Sequence, residues 1–312
     1  MIEAGFPKNL PEFQERFGTD EACAEYLFKQ KWPDGFKCSK CGFTEAYLLP
    51  TRPIYVCYGC RHHHSVTSDT AFHGTRKGLK TWFLALYLVA TSKQGVSAKE
   101  LQWQAGLGSY KTAWAWLQKL RRCMVDPNRS PLSGLVEVDE TYVGGPKLGA
   151  RGRGADGKSI VACAVEKNGA KLGRVRLAVI ADCTREKLHA FVKGELELES
   201  TVHTDGLNAY LGLEKSGYAH IRDVVSGGEV EAHIVLPGVH RVISLLKRWM
   251  LGTHQGAISR KHLQRYLSEF EFRFNRRTSG SRTHLFQRLM EGVVRDGHCP
   301  YNELIGKAKA AV

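Results

Sequence analysis

The sequence predicts a multidomain chain: a small cysteine-stapled ribbon, an all-helical segment, and an α/β domain ending in a basic helical extension. Three patterns carry that expectation. Four of the nine cysteines fall in two C-x2-C pairs, apolar residues recur at helical spacing from Leu79 onward, and strand-like and helix-like stretches alternate after Leu135. The 312 residues exceed the size at which a single core stops growing. The boundaries expected are residues 20–75 for the ribbon and its helical lead-in, 76–126 for the helical segment, 132–290 for the α/β domain and 291–312 for a tail.

Composition excludes several classes. With 43% hydrophobic and 24% charged residues the chain is ordinary globular protein, neither disordered nor collagenous. The longest apolar run, residues 82–90, is far shorter than the roughly 20 residues that cross a bilayer. The first residues lack a basic-then-apolar leader, so a cytoplasmic protein without a membrane partner is expected. The net charge of +14 favours a polyanionic partner, and it is clustered. Residues 61–125 hold ten basic against two acidic side chains, and residues 241–288 hold eleven against two. Clustered basicity is the footprint of nucleic-acid binding, because neutralised phosphates release their counterions.

Cys38, Cys41, Cys57 and Cys60 read as a zinc ribbon. Each C-x2-C turn offers two thiolates to one ion, and two such turns close a four-sulfur shell with no open position, the geometry of structural zinc. The residues between the pairs suit a short hairpin. His62, His63 and His64 follow the last cysteine and are expected on the ribbon surface near DNA, since four cysteines already complete the shell.

In the helical segment Trp82, Phe83, Leu86, Tyr87 and Ala90 mark an amphipathic helix that ends by Gly95. Ser97 with Glu100 forms a capping box for a short second helix, Gly106-Leu-Gly108 makes a turn, and Ser109 caps a third. That third helix is apolar at Ala113, Trp116, Leu117 and Leu120 and basic at Lys111, Lys119, Arg121 and Arg122. Two helices joined by a glycine turn, the second basic, fit a helix-turn-helix that reads duplex DNA. A plain helical bundle would share the pattern.

The α/β domain opens with a strand ending at Asp139, continues with β-rich runs at 159–166 and 174–181 and a helix over 184–196, and reaches a strand ending at Asp205. A short helix at 207–213, a strand at 220–225, an amphipathic helix through Val239, Val242, Ile243, Leu246 and Met250, and a basic helix over 259–274 complete it. The order β-β-β-α-β-α-β-α is that of the ribonuclease H-like fold, in which the first and fourth strands are neighbours. Asp139 and Asp205 would therefore converge at one sheet edge, where two carboxylates suit two Mg²⁺ or Mn²⁺ ions about 4 Å apart.

Val136-Glu-Val-Asp139-Glu-Thr-Tyr-Val-Gly-Gly145, Val202-His-Thr-Asp205-Gly206 and His240-Arg-Val-Ile-Ser-Leu-Leu-Lys247-Arg248 resemble the three catalytic blocks of bacterial insertion-sequence transposases of the Asp-Asp-Glu superfamily, in the group with an N-terminal zinc ribbon. The likeness continues through His262-Leu-Gln-Arg-Tyr266 and Glu269-Phe-Glu-Phe-Arg-Phe-Asn275-Arg276-Arg277. It implies a metal-dependent transposase that binds the terminal repeats of its element, frees a 3′ end and joins it to target double-stranded DNA, as a homo-oligomer during synapsis. Asp139 and Asp205 would be metal ligands, and His240, where the superfamily usually has Glu, a third ligand or a residue that orients water. Lys247 lies seven residues after His240, about 20° away on the same helix face, and would hold phosphate. Arg241, Arg248, Arg276 and Arg277 are further expected DNA contacts. Glu269 offers another carboxylate unless a neighbouring Arg holds it. Glu140 should point away from Asp139, and His203 should share the face of Asp205. His240 keeps a rival open: a zinc-ribbon regulator, or an inactive transposase that binds DNA without cutting it. Gly152-Arg-Gly-Ala-Asp-Gly157-Lys158-Ser159 matches a phosphate loop by letter, but a β-type run follows it where a helix is required, so a basic loop is the better reading.

Overall fold

The computed structural model describes residues 6–50, 52–144, 158–224, 235–256, 258–281 and 283–306. It divides into two compact units, residues 127–278 and a discontinuous unit made of 1–126 with 279–312. Among the described residues no helix is long and apolar enough to cross a membrane. The phosphate-loop lookalike lies outside the described residues up to Gly157; Ser159 opens a strand.

The N-terminal part of the first unit begins with helices α1 (Leu10–Arg16) and α2 (Asp20–Lys31), each started by a side-chain cap, Asn9 and Thr19. Strands β1 (Ala46–Leu48), β2 (Ile54–Cys57) and β3 (His63–Ser65) form an antiparallel meander, the expected hairpin with one strand added. Its small core of Phe36, Cys38 and Cys57 packs under Phe28 of α2 and Trp32, which caps that helix. Helices α3 (Leu79–Thr91), α4 (Ala98–Gln104) and α5 (Tyr110–Cys123) follow at the expected places. Ser97 and Ser109 cap α4 and α5, accepting the Glu100 and Thr112 N–H groups. The N-cap position of α3 is Gly78, which has no side chain to offer; Asp20 of α2 supplies the missing acceptor, taking the Lys80 N–H at 2.7 Å. A Cβ on Gly78 would stand 2.5 Å from that carboxylate, so glycine permits the approach.

The second unit is a five-stranded sheet of β4 (Leu135–Val143), β5 (Ser159–Asn168), β6 (Lys171–Ile180), β7 (Thr201–Asp205) and β8 (Ala219–Asp223), in the order β6-β5-β4-β7-β8. The β4–β5 and β5–β6 pairs are antiparallel, and β4–β7 and β7–β8 are parallel. Helix α6 (Arg185–Glu195) covers one face over Val136, Val138, Ala162 and Val202. Helices α7 (Pro237–His254) and α8 (Leu263–Asn275) cover the other over Val161, Cys163, Val175 and Leu177. The stripe Val239, Val242, Ile243, Leu246 and Met250 is buried as its spacing predicts. The strand and helix order is that of the ribonuclease H-like fold, with one simplification. The helix expected at 207–213 is a single 3-10 turn, Asn208–Tyr210, held by the buried Tyr210.

The chain end departs from expectation. Helix α9 (Thr283–Arg295) and the short α10 (Tyr301–Leu304) belong to the first unit, so the α/β unit closes at Thr278 rather than at residue 290, and residues 291–306 are no loose tail. Leu285, Phe286, Leu289, Met290 and Val293 bury one face of α9, with the Phe286 ring among Phe6, Phe13, Phe17 and Phe83. Arg122 of α5 pairs with Asp296 at 3.0 Å and Glu303 at 2.8 Å. Ribbon and helices belong to one compact unit.

Candidate active site and metal centre

The four ribbon sulfurs lie within 4.8 Å of one another, with Cys38 to Cys60 and Cys41 to Cys57 both 3.6 Å. A tetrahedral ion with Zn–S bonds of about 2.3 Å has sulfur–sulfur edges of about 3.8 Å, so the quartet fits structural zinc. Gly42, at φ +77°, makes the turn that aims the Cys41 knuckle. Burial works against the Cys38 thiolate, yet the Cys41 and Lys40 N–H groups and His64 hold its pKa down to about 5. At Cys41 the Phe43 N–H favours the thiolate, but hydrogen bonding to Cys60 and burial lift it to about 12. Crowded thiolates repel, and a dication removes that conflict.

His64 corrects an expectation. It is buried, not on the ribbon surface, with Nε2 3.2 Å from Cys38 Sγ and its ring 5.2 Å from that of Phe36. Alternation along β3 sends His63 out and His64 in.

The second site forms where parallel strands end. Register pairs run Leu135↔Thr201, Val136↔Val202 and Glu137↔His203, and Asp139 and Asp205 each lie two residues beyond the last of these on their strands. The next ladder pairs Asp205 with Asp223, the last residues of β7 and β8, whereas β4 runs four residues past Asp139 to Val143 instead of ending there as expected, because its pairing with β5 continues. Crevices at such strand ends are where open α/β sheets bind ligands. Asp139 Oδ1 accepts the Glu140 N–H at 2.8 Å, and its Oδ2 lies 3.6 Å from Nε2 of His240 on α7. Asp205 Oδ1 accepts the Leu207 N–H at 3.0 Å. The structure therefore brings Asp139, Asp205 and His240 to one edge. Among the described residues only the cysteine quartet closes to within 4.8 Å as a metal-binding group.

The surroundings sort the remaining expectations. Glu140 does face away, its Oε2 accepting the Tyr210 hydroxyl at 2.8 Å. Burial, reinforced by Glu140, Asp139 and Asp205, holds that phenol well above its ordinary pKa and keeps it a donor. His203 shares the Asp205 face and meets Asp223 Oδ2 at 2.7 Å. Glu269 is no metal ligand: it is 1% exposed and tied to Arg273 at 2.9 Å, one turn along α8. Lys247 is exposed two turns beyond His240.

Of the basic residues expected to meet DNA, Lys111, Arg241, Arg248 and Arg277 are exposed. Arg277 also stacks over Phe274 at 3.9 Å and donates to its carbonyl. Arg276 lies over Phe272 at 4.2 Å and Lys119 donates to the Ala71 carbonyl, with burial lowering the lysine pKa. Arg121 is a correction. It is 1% exposed, because the core-facing side of α5 includes it, and it cannot reach a phosphate. Arg122 is engaged by Asp296 and Glu303, acids that lie far along the chain.

Sequence reasoning missed Asp223, Tyr210 and Glu137. The last carried a readable signal, since period-two alternation puts it on the Asp139 face. Asp223 and Tyr210 become neighbours only through strand order.

A cysteine ribbon joined to a ribonuclease H-like domain is the architecture expected of an insertion-sequence transposase. The chain belongs to that family: residues 131–275 match the ISXO2-like transposase domain and residues 18–63 the transposase zinc-ribbon domain. It is 27% identical to a protein in transposable element ISH50 of Halobacterium salinarum, over 82% of this chain and 91% of that protein. A transposase-like protein of Haemophilus influenzae is 25% identical over 38% of this chain and 95% of its own length. Among solved structures, the catalytic core domain of BIV integrase covers 56% of this chain and 95% of its own at 18% identity, with a TM-score of 0.33.

Proposed function

We propose that the protein binds the terminal repeats of its insertion sequence and catalyses metal-dependent 3′-end cleavage and strand transfer into target double-stranded DNA. The observation that carries this reading is His240 Nε2 3.6 Å from Asp139, on a strand whose parallel pairing with β7 ends two residues short of Asp139 and Asp205. Two divalent cations, Mg²⁺ or Mn²⁺, would supply Lewis acidity for phosphodiester displacement when bound. Asp139 and Asp205 would hold them, and the His240 imidazole would be a further ligand or orient water there. Lys247 and Arg248 grip the phosphate backbone, and Arg241 adds to the positive rim. In the first unit one structural zinc stiffens the ribbon, and α4 with α5 act as a helix-turn-helix. Exposed Trp103, Tyr110 and Lys111 offer that pair aromatic and cationic contacts. Arg276 and Arg277 bind through what reach their aromatic stacking leaves them. The protein works on the nucleoid, as a homo-oligomer that brings two ends together.

The test is incubation of purified protein with plasmid carrying the element's ends, in Mg²⁺ or Mn²⁺, against Asp139→Asn. Cleaved and joined products from the wild type alone are the expected result. Products retained by the variant would refute the site. Specific binding without products from the wild type would instead favour a DNA-binding regulator, the reading that His240 in place of Glu keeps alive.

A further inference from the structure

We propose that Glu137 is a positioning residue of this centre: it caps helix α7 from the neighbouring strand and thereby sets His240 against Asp139. The inference rests on the reading of Asp139 and His240 as the reacting groups.

The N-cap position of α7 is Leu236, whose side chain has no acceptor. A helix start leaves its first N–H groups unpaired, and a polar N-cap side chain would normally take the one at the third helical residue. That residue is Val239, and its N–H donates to Glu137 Oε2 of β4 at 2.8 Å. The other Glu137 oxygen meets Lys167 Nζ of β5 at 3.2 Å, with the carboxylate side chain 4% and the lysine 13% exposed. A negative charge here also faces the positive end of the helix dipole. Gly238 makes room: a Cβ at that position would be 2.8 Å from Oε2 and 3.0 Å from Leu172 and Lys167 side-chain atoms.

The geometry reaches the site in two short steps. His240 follows Val239 directly, and Asp139 follows Glu137 by one strand repeat on the same face. One end of the device thus grips the helix just before the imidazole, and the other shares a rigid strand with the aspartate. The Nε2 to Oδ2 distance of 3.6 Å is the outcome. The first unit uses the same arrangement where Asp20 caps α3 beside Gly78, which shows the pairing of a glycine with a borrowed carboxylate to be a workable helix start in this chain.

Three variants of the full chain separate positioning from mere stability. Glu137→Gln keeps an oxygen acceptor. The double variant Glu137→Leu with Lys167→Met replaces the buried ion pair by apolar groups, a change that is often neutral for folding. Gly238→Ala leaves Glu137 intact but pushes the helix off it. Amide exchange of residues 236–243 should quicken at least about 10-fold in the last two and stay within about 3-fold of wild type in Glu137→Gln, at unchanged global unfolding. In histidine-labelled protein the His240 ring signal, assigned by its loss in His240→Asn, should shift with Asp139→Asn. That response should collapse in the double variant. End cleavage should fall at least about 10-fold in the double variant and in Gly238→Ala. Unchanged exchange, or a His240 response to Asp139→Asn that survives in the double variant, would overturn the proposal. Both readouts are made without DNA, so a wild type that yields no products counts against the functional reading alone.

Discussion

Replacing Gly292 with Ala sets two physical effects against each other. Gly292 lies inside α9, where intrinsic propensity alone says that Ala should stabilise by about 1 kcal/mol. Packing says the reverse. An ideal Cβ there would stand 2.0 Å from the Cys123 carbonyl oxygen, 2.8 Å from its carbonyl carbon and 3.1 Å from its Cβ. Carbon–oxygen contacts settle at about 3.3 Å or more, so α5 and α9 would have to part by more than about 1 Å. Parting them loosens Phe286, Leu289, Met290 and Val293, each fully buried. Overpacking at this level costs about 3 kcal/mol, leaving a net loss of about 2 kcal/mol after the propensity gain. For a unit of this size that lowers Tm by about 4–8 °C in calorimetry or circular dichroism. Gly252→Ala on α7 is the control, since nothing lies within 4 Å of its added Cβ, and it should be neutral or slightly stabilising. A Gly292→Ala protein as stable as that control would refute the close approach of α9 to α5, and with it the return of the chain end to the first unit.

Other outcomes follow from the same geometry. Metal analysis should find one zinc per chain, lost in Cys38→Ser; a zinc-free wild type would remove the ribbon as a metal centre. Arg121→Ala should lower Tm, whereas Lys111→Ala should leave Tm unchanged and weaken DNA binding with a shallower salt dependence; the reverse pattern would undo their assignment to core and surface. Burial alone would raise Glu166, but Arg174 and the N–H groups of Ser133 and Arg174 hold its carboxyl below the ordinary value. Its ionised form therefore stabilises the fold above the unfolded pKa of about 4.3, and that contribution fades as pH falls through the lower folded value. The urea midpoints of wild type and Glu166→Gln should differ by a constant amount above pH of about 5.5 and converge in acid; a gap independent of pH would show that the charge plays no part.

What was legible in the sequence was local. The C-x2-C pairs are metal ligands held by their own turns, and Asp205 ends β7 as the β-rich run announces, whereas β4 runs past Asp139 to Val143. Ser97 and Ser109 were readable because a cap and its target are three residues apart. Facing was harder. His64 and Arg121 are polar by letter, and only the packing of β3 and α5 turns them inward. Register was out of reach, so Asp223 beside Asp205 emerges only when β8 is laid against β7, and the grip of Glu137 on Val239 only when β4 meets a helix 102 residues further along the chain. The destination of α9 was hidden for the same reason: its apolar stripe announces a buried face but not which core receives it.

The first unit's chain is interrupted by the whole of residues 127–278 before α9 is made. At about 5–20 residues per second a ribosome needs about 8–30 s to cross that interval. For that time the nascent ribbon and helices α1 to α5 wait with the seat of Phe286 empty and greasy. Copies cut short by a premature stop anywhere before residue 283 never fill it. The N-terminal core is thus completed only in a chain that already carries both aspartates and His240.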